Sequence, residues 1–264
     1  MITLETLRQR KRDGQKFSML TAYDSSFSHV ISSAGVDVML VGDSLGMVIQ
    51  GKESTLPVTI DDLVYHTQAV AAGNQGALIM SDVPFLGARN TDVLIEQAGR
   101  LMQAGANIVK VEGGIWLTDQ IARLKQNGIP VCVHLGLTPQ FINSFGGYKI
   151  QGKSEEQALA MAQAAKAVEM AGADMILLEC VPNAAAEGVM SSVSVPVVGI
   201  GAGPSTDAQV LVIQDMLGMT PGRKPRFVKD FLAGHQDGIQ AAIERFDSAV
   251  KSGEYPAPEH QYGV

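Results

Sequence analysis

The sequence predicts a single (β/α)8 barrel domain over residues 1–264, with a helical C-terminal segment from about residue 227. Three observations lead to this prediction. Short apolar runs, typical of strands buried on both faces, recur along the chain. Most are separated by a helical pattern that ends at glycine, as crossovers between parallel strands require. Polar residues follow the runs at their carboxyl ends, where α/β barrels carry their chemistry.

The predicted strands are eight in number. They cover residues 17–22, 38–41, 77–80, 107–111, 129–133, 175–178, 195–198 and 210–213. Eight parallel strands in 264 residues favour a closed barrel. An open, doubly wound sheet with fewer strands is the alternative that the pattern leaves.

The predicted helices begin at residues that cap helices well. Asp24 and Thr59 precede helices over 25–33 and 60–72, and Ser154 with Gln157 forms a capping-box pattern before an alanine-rich helix. Other helices are predicted over residues 91–105, 118–128 and 183–191. Residues 45–58 contain glycines and a proline without helical periodicity, so a long loop is predicted there.

Composition excludes several classes of function. The net charge of −7 argues against a nucleic-acid-binding surface, and the basic cluster Arg8, Arg10, Lys11 and Arg12 is interpreted as a solvated helix face. Two cysteines cannot form a disulfide framework, which indicates a reducing compartment. No apolar run approaches about 18 residues and no signal-peptide pattern is present, so a soluble, cytoplasmic protein without membrane partners is expected.

Asp43 and Asp82 are candidate ligands of a hard cation. Each follows a predicted strand, and two carboxylates with open coordination positions suit Mg²⁺. Either acid could instead cap the following helix, but the matching positions, with Glu112 nearby, favour a metal site. No Cys/His spacing typical of zinc occurs.

Other polar residues at strand ends are candidates for substrate binding and proton transfer. Lys110 and Glu112 alternate on one strand and so share a face, either as a structural pair or facing an anionic substrate. His134 is either a hydrogen-bonded core residue or a site residue. Glu179 follows four apolar residues, surroundings that suit a general base, although a buried ion pair is the alternative. Gly199 to Gly203 (GIGAG) lacks the long helix of a dinucleotide fingerprint and is interpreted as a turn.

With these residues assembled, the chain resembles the ketopantoate hydroxymethyltransferase family. The matching segments lie in order over most of the chain. They are TAYD (21–24), VMLVGDSLGM (38–47), STLPVT (54–59), SDVPF (81–85), GANIVKVEGG (105–114), HLGLTPQ (134–140), GGYKIQG (146–152), LLECVP (177–182) and GIGAG (199–203).

The resemblance implies a (β/α)8 barrel, Mg²⁺ and a commonly decameric assembly of cytoplasmic subunits. It implies transfer of a hydroxymethyl group from 5,10-methylenetetrahydrofolate to 3-methyl-2-oxobutanoate, a 2-oxo acid. It also implies a role for each candidate. Asp43, Asp82 and Glu112 would serve the metal and, through it, the substrate; Ser44 and Lys110 would bind the substrate carboxylate, His134 would bond near the ketone, and Glu179 would be the base.

Two other functions stay open at this stage. One is a Mg²⁺-dependent 2-oxo acid lyase of the phosphoenolpyruvate mutase and isocitrate lyase type, which would act without folate. The other is a catalytically silent barrel that binds a metabolite and regulates a partner. The complete set of acids, lysine and candidate base argues against the silent barrel.

Overall fold

The computed structural model describes residues 1–222 and 224–263 and contains a closed barrel of eight parallel strands. The predicted (β/α)8 fold is therefore confirmed. The strands are β1 (Phe17–Thr21), β2 (Val38–Val41), β3 (Leu78–Asp82), β4 (Ile108–Glu112), β5 (Val131–Gly136), β6 (Met175–Glu179), β7 (Val197–Ile200) and β8 (Ala208–Leu211). They follow one another around the barrel in chain order, and β8 pairs with β1 to close it.

Eleven α-helices occur among the described residues. They are α1 (Leu4–Arg12), α2 (Ser25–Ser33), α3 (Leu45–Val48), α4 (Ile60–Gly73), α5 (Thr91–Gln103), α6 (Thr118–Gln126), α7 (Ile142–Phe145), α8 (Glu155–Ala171), α9 (Asn183–Ser192), α10 (Ile213–Met216) and α11 (Gly238–Ser252). Short 3₁₀ helices add Ile115–Leu117, Pro139–Phe141 and Pro258–His260. None of the described helices has the length and apolar character needed to span a membrane.

The caps chosen from the sequence are present. Asp24 accepts a hydrogen bond from the Phe27 amide, and Thr59 and Ser154 form capping boxes at α4 and α8. The capping box at Ser154 was predicted, whereas the one that Thr59 forms with Asp62 was not. These side chains satisfy N–H groups that have no partner inside the helix. Local chemistry thus fixes where these three helices begin.

Several element predictions were wrong in detail. Strands β5 and β7 begin two residues later than predicted, at Val131 and Val197, and the C-terminal segment predicted to be helical from about residue 227 becomes helical only at Gly238.

The loop predicted over 45–58 begins with the short helix α3, which follows directly from Ser44. The last strand lies two residues earlier than predicted, because its pairing with β1 begins at Ala208 opposite Phe17 and the chain turns into α10 at Ile213. The apolar run alone did not separate this strand from the start of that helix.

The basic face of α1 is not a free solvated surface, contrary to the prediction. Three of its four cations pair with aspartates that precede strands: Arg8 with Asp174, Arg10 with Asp37 and Lys11 with Asp207, whereas Arg12 is exposed as predicted. Those aspartates also accept backbone N–H groups of the neighbouring strands β5, β1 and β7, respectively. Helix α1 therefore covers the amino-terminal end of the barrel, opposite the end where the candidate site residues lie.

Side chains pack in two layers on either side of the sheet. The interior of the barrel holds alternating residues of each strand, and a larger layer fills the space between strands and helices. Cys132 lies fully buried in the interior layer. This alternation decides which polar side chains reach the mouth.

Candidate active site

The residues that face the barrel interior alternate along each strand, and at the carboxyl ends of several strands these inward-facing residues are polar. On β4, Ile108 lies in the interior layer, and the next residues of the same face are Lys110 and Glu112. On β5, Cys132 is followed in the same way by His134. The same alternation on β3 and β6 ends at Asp82 and Glu179. The predicted convergence at one mouth follows from this geometry.

Lys110 lies at the centre of the buried charges. Its Nζ is 3.0 Å from Asp82 Oδ1, 3.8 Å from Glu112 Oε1 and 3.2 Å from His134 Nδ1. Burial by itself lowers the pKa of Lys110, but the carboxylates of Asp82, Glu112 and Asp43 outweigh it and raise that pKa above its ordinary value. The lysine is therefore a fixed cation that faces the acids and any anionic ligand.

His134 lies between two carboxylates. Its Nδ1 is 3.3 Å from Glu112 Oε1, and its Nε2 is 3.3 Å from Glu179 Oε2. Burial and Lys110 lower the pKa of His134, whereas Glu112 and Glu179 raise it and prevail. Among these acids, the Glu179 side chain is 15% exposed and that of Glu112 only 1%. Glu179 is thus the acid of this group that a ligand in the mouth can reach.

Asp43 and Ser44 enter the mouth from the loop after β2. The Asp43 amide donates to Asp82 Oδ2 at 2.9 Å, which joins the two predicted metal ligands directly. The Ser44 hydroxyl lies 2.8 Å from the Tyr23 hydroxyl. At Gly42 a Cβ atom would lie 2.9 Å from Ser44 Oγ, so this close turn leaves no room for a side chain.

Burial raises the pKa of Asp43 well above its usual range, and the charges of Asp82 and Glu112 add to this effect. Burial also raises the pKa of Asp82, against the lowering effect of Lys110. Burial acts the same way on Glu112, but His134 and Lys110 outweigh it and lower its pKa. Such concentrated, perturbed charge is typical of a functional site.

Two residues at the mouth had no predicted role. Gln140, in the 3₁₀ helix Pro139–Phe141, donates from its side chain to Asp43 and from its backbone to Glu112. Tyr148, in the glycine-rich segment 146–152, has its pKa raised by burial and by the charges of Glu179, Asp43 and Glu112. Both occur in segments that carried the family resemblance, but nothing in their local patterns indicated contact with the acids.

The donor atoms fit a hard cation without forming a finished cage. Within residues 1–222 and 224–263, no three His, Cys, Asp or Glu side chains are arranged as a ready metal site. Asp82 Oδ1 and Glu112 Oε1 are buried and have no aligned hydrogen-bond partner among the described groups. Mg²⁺ commonly uses one or two carboxylates and completes its shell with waters and substrate oxygens, so Asp43 and Asp82 suffice for such a site. Coordination by Asp43, Asp82 and Glu112 stays a prediction.

The GIGAG segment forms a turn, as predicted. Strand β7 ends at Ile200, and Gly201 adopts a φ of +59°. A Cβ atom there would lie 2.7 Å from Phe227 and 2.9 Å from Tyr262. The turn therefore brings the backbone close to the C-terminal segment.

Comparison with known proteins assigns the whole chain to one group. The model of the family described as ketopantoate hydroxymethyltransferase matches residues 1–258. A 3-methyl-2-oxobutanoate hydroxymethyltransferase of Marinobacter nauticus is 56% identical over 261 residues, covering 99% of this chain and 98% of that protein. A 3-methyl-2-oxobutanoate hydroxymethyltransferase 2 of Pseudomonas aeruginosa is 54% identical over 264 residues, covering 100% of this chain and 99% of that protein.

Solved structures with a similar fold are more distant in sequence. Phosphonopyruvate hydrolase in complex with oxalate and Mg²⁺ has a TM-score of 0.64 at 16% identity, over 83% of this chain and 84% of that one. A 2,3-dimethylmalate lyase of the phosphoenolpyruvate mutase and isocitrate lyase superfamily has a TM-score of 0.59 at 16% identity, over 97% of this chain and 100% of that one. At such identity these likenesses concern the fold alone.

Proposed function

The chain belongs to the ketopantoate hydroxymethyltransferase family, and from this membership we propose which of its side chains carry the reaction. The enzyme transfers a hydroxymethyl group from 5,10-methylenetetrahydrofolate to 3-methyl-2-oxobutanoate and forms ketopantoate for pantothenate biosynthesis. It is a metal-dependent transferase with a folate co-substrate. The assignment of Mg²⁺ and of the individual residues is our proposal.

Glu179 is the proposed general base. The reaction requires removal of a proton from C3, which is adjacent to the ketone, before that carbon can attack the one-carbon unit. Glu179 suits this role because its carboxylate is the more accessible end of the buried charge cluster and lies 3.3 Å from His134 Nε2. This contact is the observation that carries the assignment.

Lys110 and Ser44 are the proposed partners of the substrate carboxylate. Lys110 supplies a permanent positive charge in a net acidic chain, and the Ser44 hydroxyl is held in place by Tyr23. We assign His134 as the hydrogen-bond donor near the ketone oxygen, where negative charge develops when C3 loses its proton, because its buried Nε2 has no aligned hydrogen-bond partner among the described groups. Together these groups bind and orient an anionic 2-oxo acid.

Asp43 and Asp82 are the proposed Mg²⁺ ligands, with Glu112 in or near the shell. When bound there, Mg²⁺ supplies Lewis-acid polarisation of the substrate ketone and so favours loss of the C3 proton. The hydrogen bond from the Asp43 amide to Asp82 Oδ2, which holds these two acids together at the mouth, supports this assignment.

The test follows the C3 proton directly. The protein is mixed with 3-methyl-2-oxobutanoate in D₂O, and exchange at C3 is followed by NMR with Mg²⁺ and then with EDTA. We expect exchange only with the metal, and ketopantoate only after methylenetetrahydrofolate is added. Absence of exchange with metal and substrate present would contradict the proposed chemistry, and turnover without folate would favour the lyase alternative.

The assembly and location are proposals as well. We propose a homo-oligomer, with the decamer that the family resemblance implies, and a cytoplasmic location. Light scattering coupled to size-exclusion chromatography tests the first proposal, since a monomer of 27.9 kDa and a decamer differ tenfold in mass. Fractionation of the producing cells tests the second.

A further inference from the structure

Gln140 connects the loop after β5 to the ends of three other strands. Its side-chain Nε2 donates to Asp43 Oδ2 at 2.9 Å and to the Val83 carbonyl at 3.0 Å. Its backbone N–H donates to Glu112 Oε2 at 2.9 Å. Val83 directly follows Asp82, so one residue contacts Asp43 and Glu112 and also the chain beside Asp82.

These bonds hold one oxygen of each carboxylate. On Asp43, Oδ2 accepts the hydrogen bond from the side-chain amide of Gln140, and this bond fixes the rotation of the carboxyl group. On Glu112 the backbone N–H occupies Oε2, while Oε1 faces His134 and Lys110. A carboxylate that is held in this way enters a metal shell without first losing rotational freedom.

We propose that Gln140 is the positioning residue of the cation site, acting through Asp43 and Glu112. This inference rests on the proposed function, because it takes those acids as serving the metal. Gln140 itself does not contact the reacting atoms. Loss of its side-chain amide frees Asp43 and keeps the backbone bond to Glu112, so it weakens cation binding and leaves Glu179 and His134 in place.

A second buried glutamine provides a matched control. Gln209 on β8 also donates from Nε2 to two acceptors, the Gly203 carbonyl and Thr206 Oγ1. Its described hydrogen bonds do not involve the acids. If Gln140 mattered only for packing, substituting either glutamine would have similar consequences.

The experiment compares Gln140→Met and Gln209→Met, substitutions that keep most of the volume and remove the amide. Mn²⁺, an oxygen-preferring stand-in for Mg²⁺, is titrated without substrate and free ion is measured by electron paramagnetic resonance. We expect Gln140→Met to bind Mn²⁺ about 10- to 100-fold more weakly, the usual effect of losing an outer partner of a ligand. Gln209→Met should stay within about twofold of the wild type.

Catalysis gives a second readout. Because the base is untouched, kcat of Gln140→Met should approach the wild-type value at saturating Mg²⁺, whereas the Mg²⁺ concentration for half activity should rise in parallel with the Mn²⁺ dissociation constant. Folding is followed by circular dichroism. Gln140→Asn, whose shorter amide cannot reach both acceptors, gives the same test if Gln140→Met does not fold.

The outcomes separate this role from the proposed function. Unchanged Mn²⁺ affinity in the Gln140 variants, or an equal loss in Gln209→Met, overturns the role of Gln140 alone. Failure of the wild type to bind Mn²⁺ overturns both the metal assignment and this role. Weaker binding confined to the Gln140 variants, in a wild-type enzyme with metal-dependent C3 exchange, supports both.

Discussion

The carboxylate of Glu179 and the imidazole of His134 lie 3.3 Å apart, measured from Oε2 to Nε2. The two residues belong to the neighbouring strands β5 and β6, which pair in register with His134 opposite Leu177. On its other side the imidazole faces Glu112 at 3.3 Å. The sheet thus places the proposed base beside an imidazole that also faces Glu112.

Replacement of Glu179 tests the assignment of the base. Glu179→Gln keeps the size of the side chain but removes the proton acceptor, so C3 deuterium exchange should fall by about 10²- to 10⁴-fold. Binding of 3-methyl-2-oxobutanoate, measured by calorimetry with Mg²⁺ present, should change little. Glu187→Gln, at an exposed position on α9, is the control and should exchange at the wild-type rate. Exchange that persists in Glu179→Gln would rule out this residue as the base.

Replacement of Asp43 tests whether the metal offsets an unfavourable charge. Because burial and the neighbouring acids raise the pKa of Asp43, its ionised form destabilises the fold at neutral pH, above the pKa of the unfolded chain. In EDTA, Asp43→Asn should therefore be more stable than the wild type, by about 1–2 kcal/mol. Added Mg²⁺ should raise the Tm of the wild type but not that of the variant, because only the wild type binds the ion.

Thermal unfolding with and without Mg²⁺ measures both effects in one series. A lower Tm of Asp43→Asn in EDTA would contradict the electrostatic argument. A Mg²⁺-dependent rise of Tm in the variant equal to that in the wild type would remove Asp43 from the metal site.

Local patterns were sufficient to predict the barrel. Each strand is an apolar run, and each of the capped helices begins at a residue whose side chain satisfies its own first turn, so both signals lie within a few neighbours in the sequence. The strand-end position of Asp82, Lys110 and Glu179 followed from the same runs. Because the barrel closes, these strand ends meet at one end of it, so no further sequence signal is needed to bring the residues together.

Contacts between distant segments were beyond such reasoning. Gln140 and Asp43 are 97 positions apart, and only the closed barrel brings the loop after β5 over the end of β2. The cations of α1 were misinterpreted for the same reason, since Arg8 and Asp174 are 166 positions apart. The sequence around a single glutamine, or around a basic helix face, does not indicate which distant residue that group will contact.

The contact between Arg10 and Asp37 predicts a stability effect at the end of the barrel away from the site. Arg10 Nη1 lies 2.7 Å from Asp37 Oδ1, and the Asp37 side chain is only 3% exposed. In Arg10→Met, the remaining described cation partner of Asp37 would be Lys251, whose Nζ lies 3.2 Å from Asp37 Oδ2. The free energy of unfolding should fall by about 1–3 kcal/mol, less than for a buried charge left wholly unpaired.

Arg12 is the matched control for Arg10. It is on the same helix, but its side chain is 53% exposed and its partner Glu5 is 65% exposed. Arg12→Met should leave the free energy of unfolding close to that of the wild type, because exposed ion pairs contribute little. Urea unfolding of both variants makes the measurement, and equal effects would contradict a special role for Asp37. The rate of C3 exchange should be unchanged in both.

Glu169 predicts how stability depends on pH. Near the end of α8, its Oε1 accepts hydrogen bonds from the amide and hydroxyl of Ser194 and from the amide of Val195, while Lys166 pairs with Oε2. Burial raises the pKa of this carboxyl, but the hydrogen bonds outweigh it and lower the pKa to about 2. Because the pKa is lowered, the ionised group stabilises the fold above the pKa of the unfolded chain, about 4.3. This contribution to stability is lost as the pH falls towards 2.

Glu169→Gln should accordingly lower the free energy of unfolding at pH 7 by about 1–2 kcal/mol, the value of hydrogen bonds to a charged acceptor. The difference from the wild type should shrink between about pH 5 and pH 3, because the wild type progressively loses the contribution of the charge there. Urea unfolding at pH 7, 5 and 3.5 measures this, with the exposed Glu187→Gln as the control at each pH. If the difference in free energy of unfolding between Glu169→Gln and the wild type stayed constant from pH 7 to pH 3.5, the destabilisation would be steric. The charge of Glu169 would then not contribute to the contact between α8 and the residues before β7.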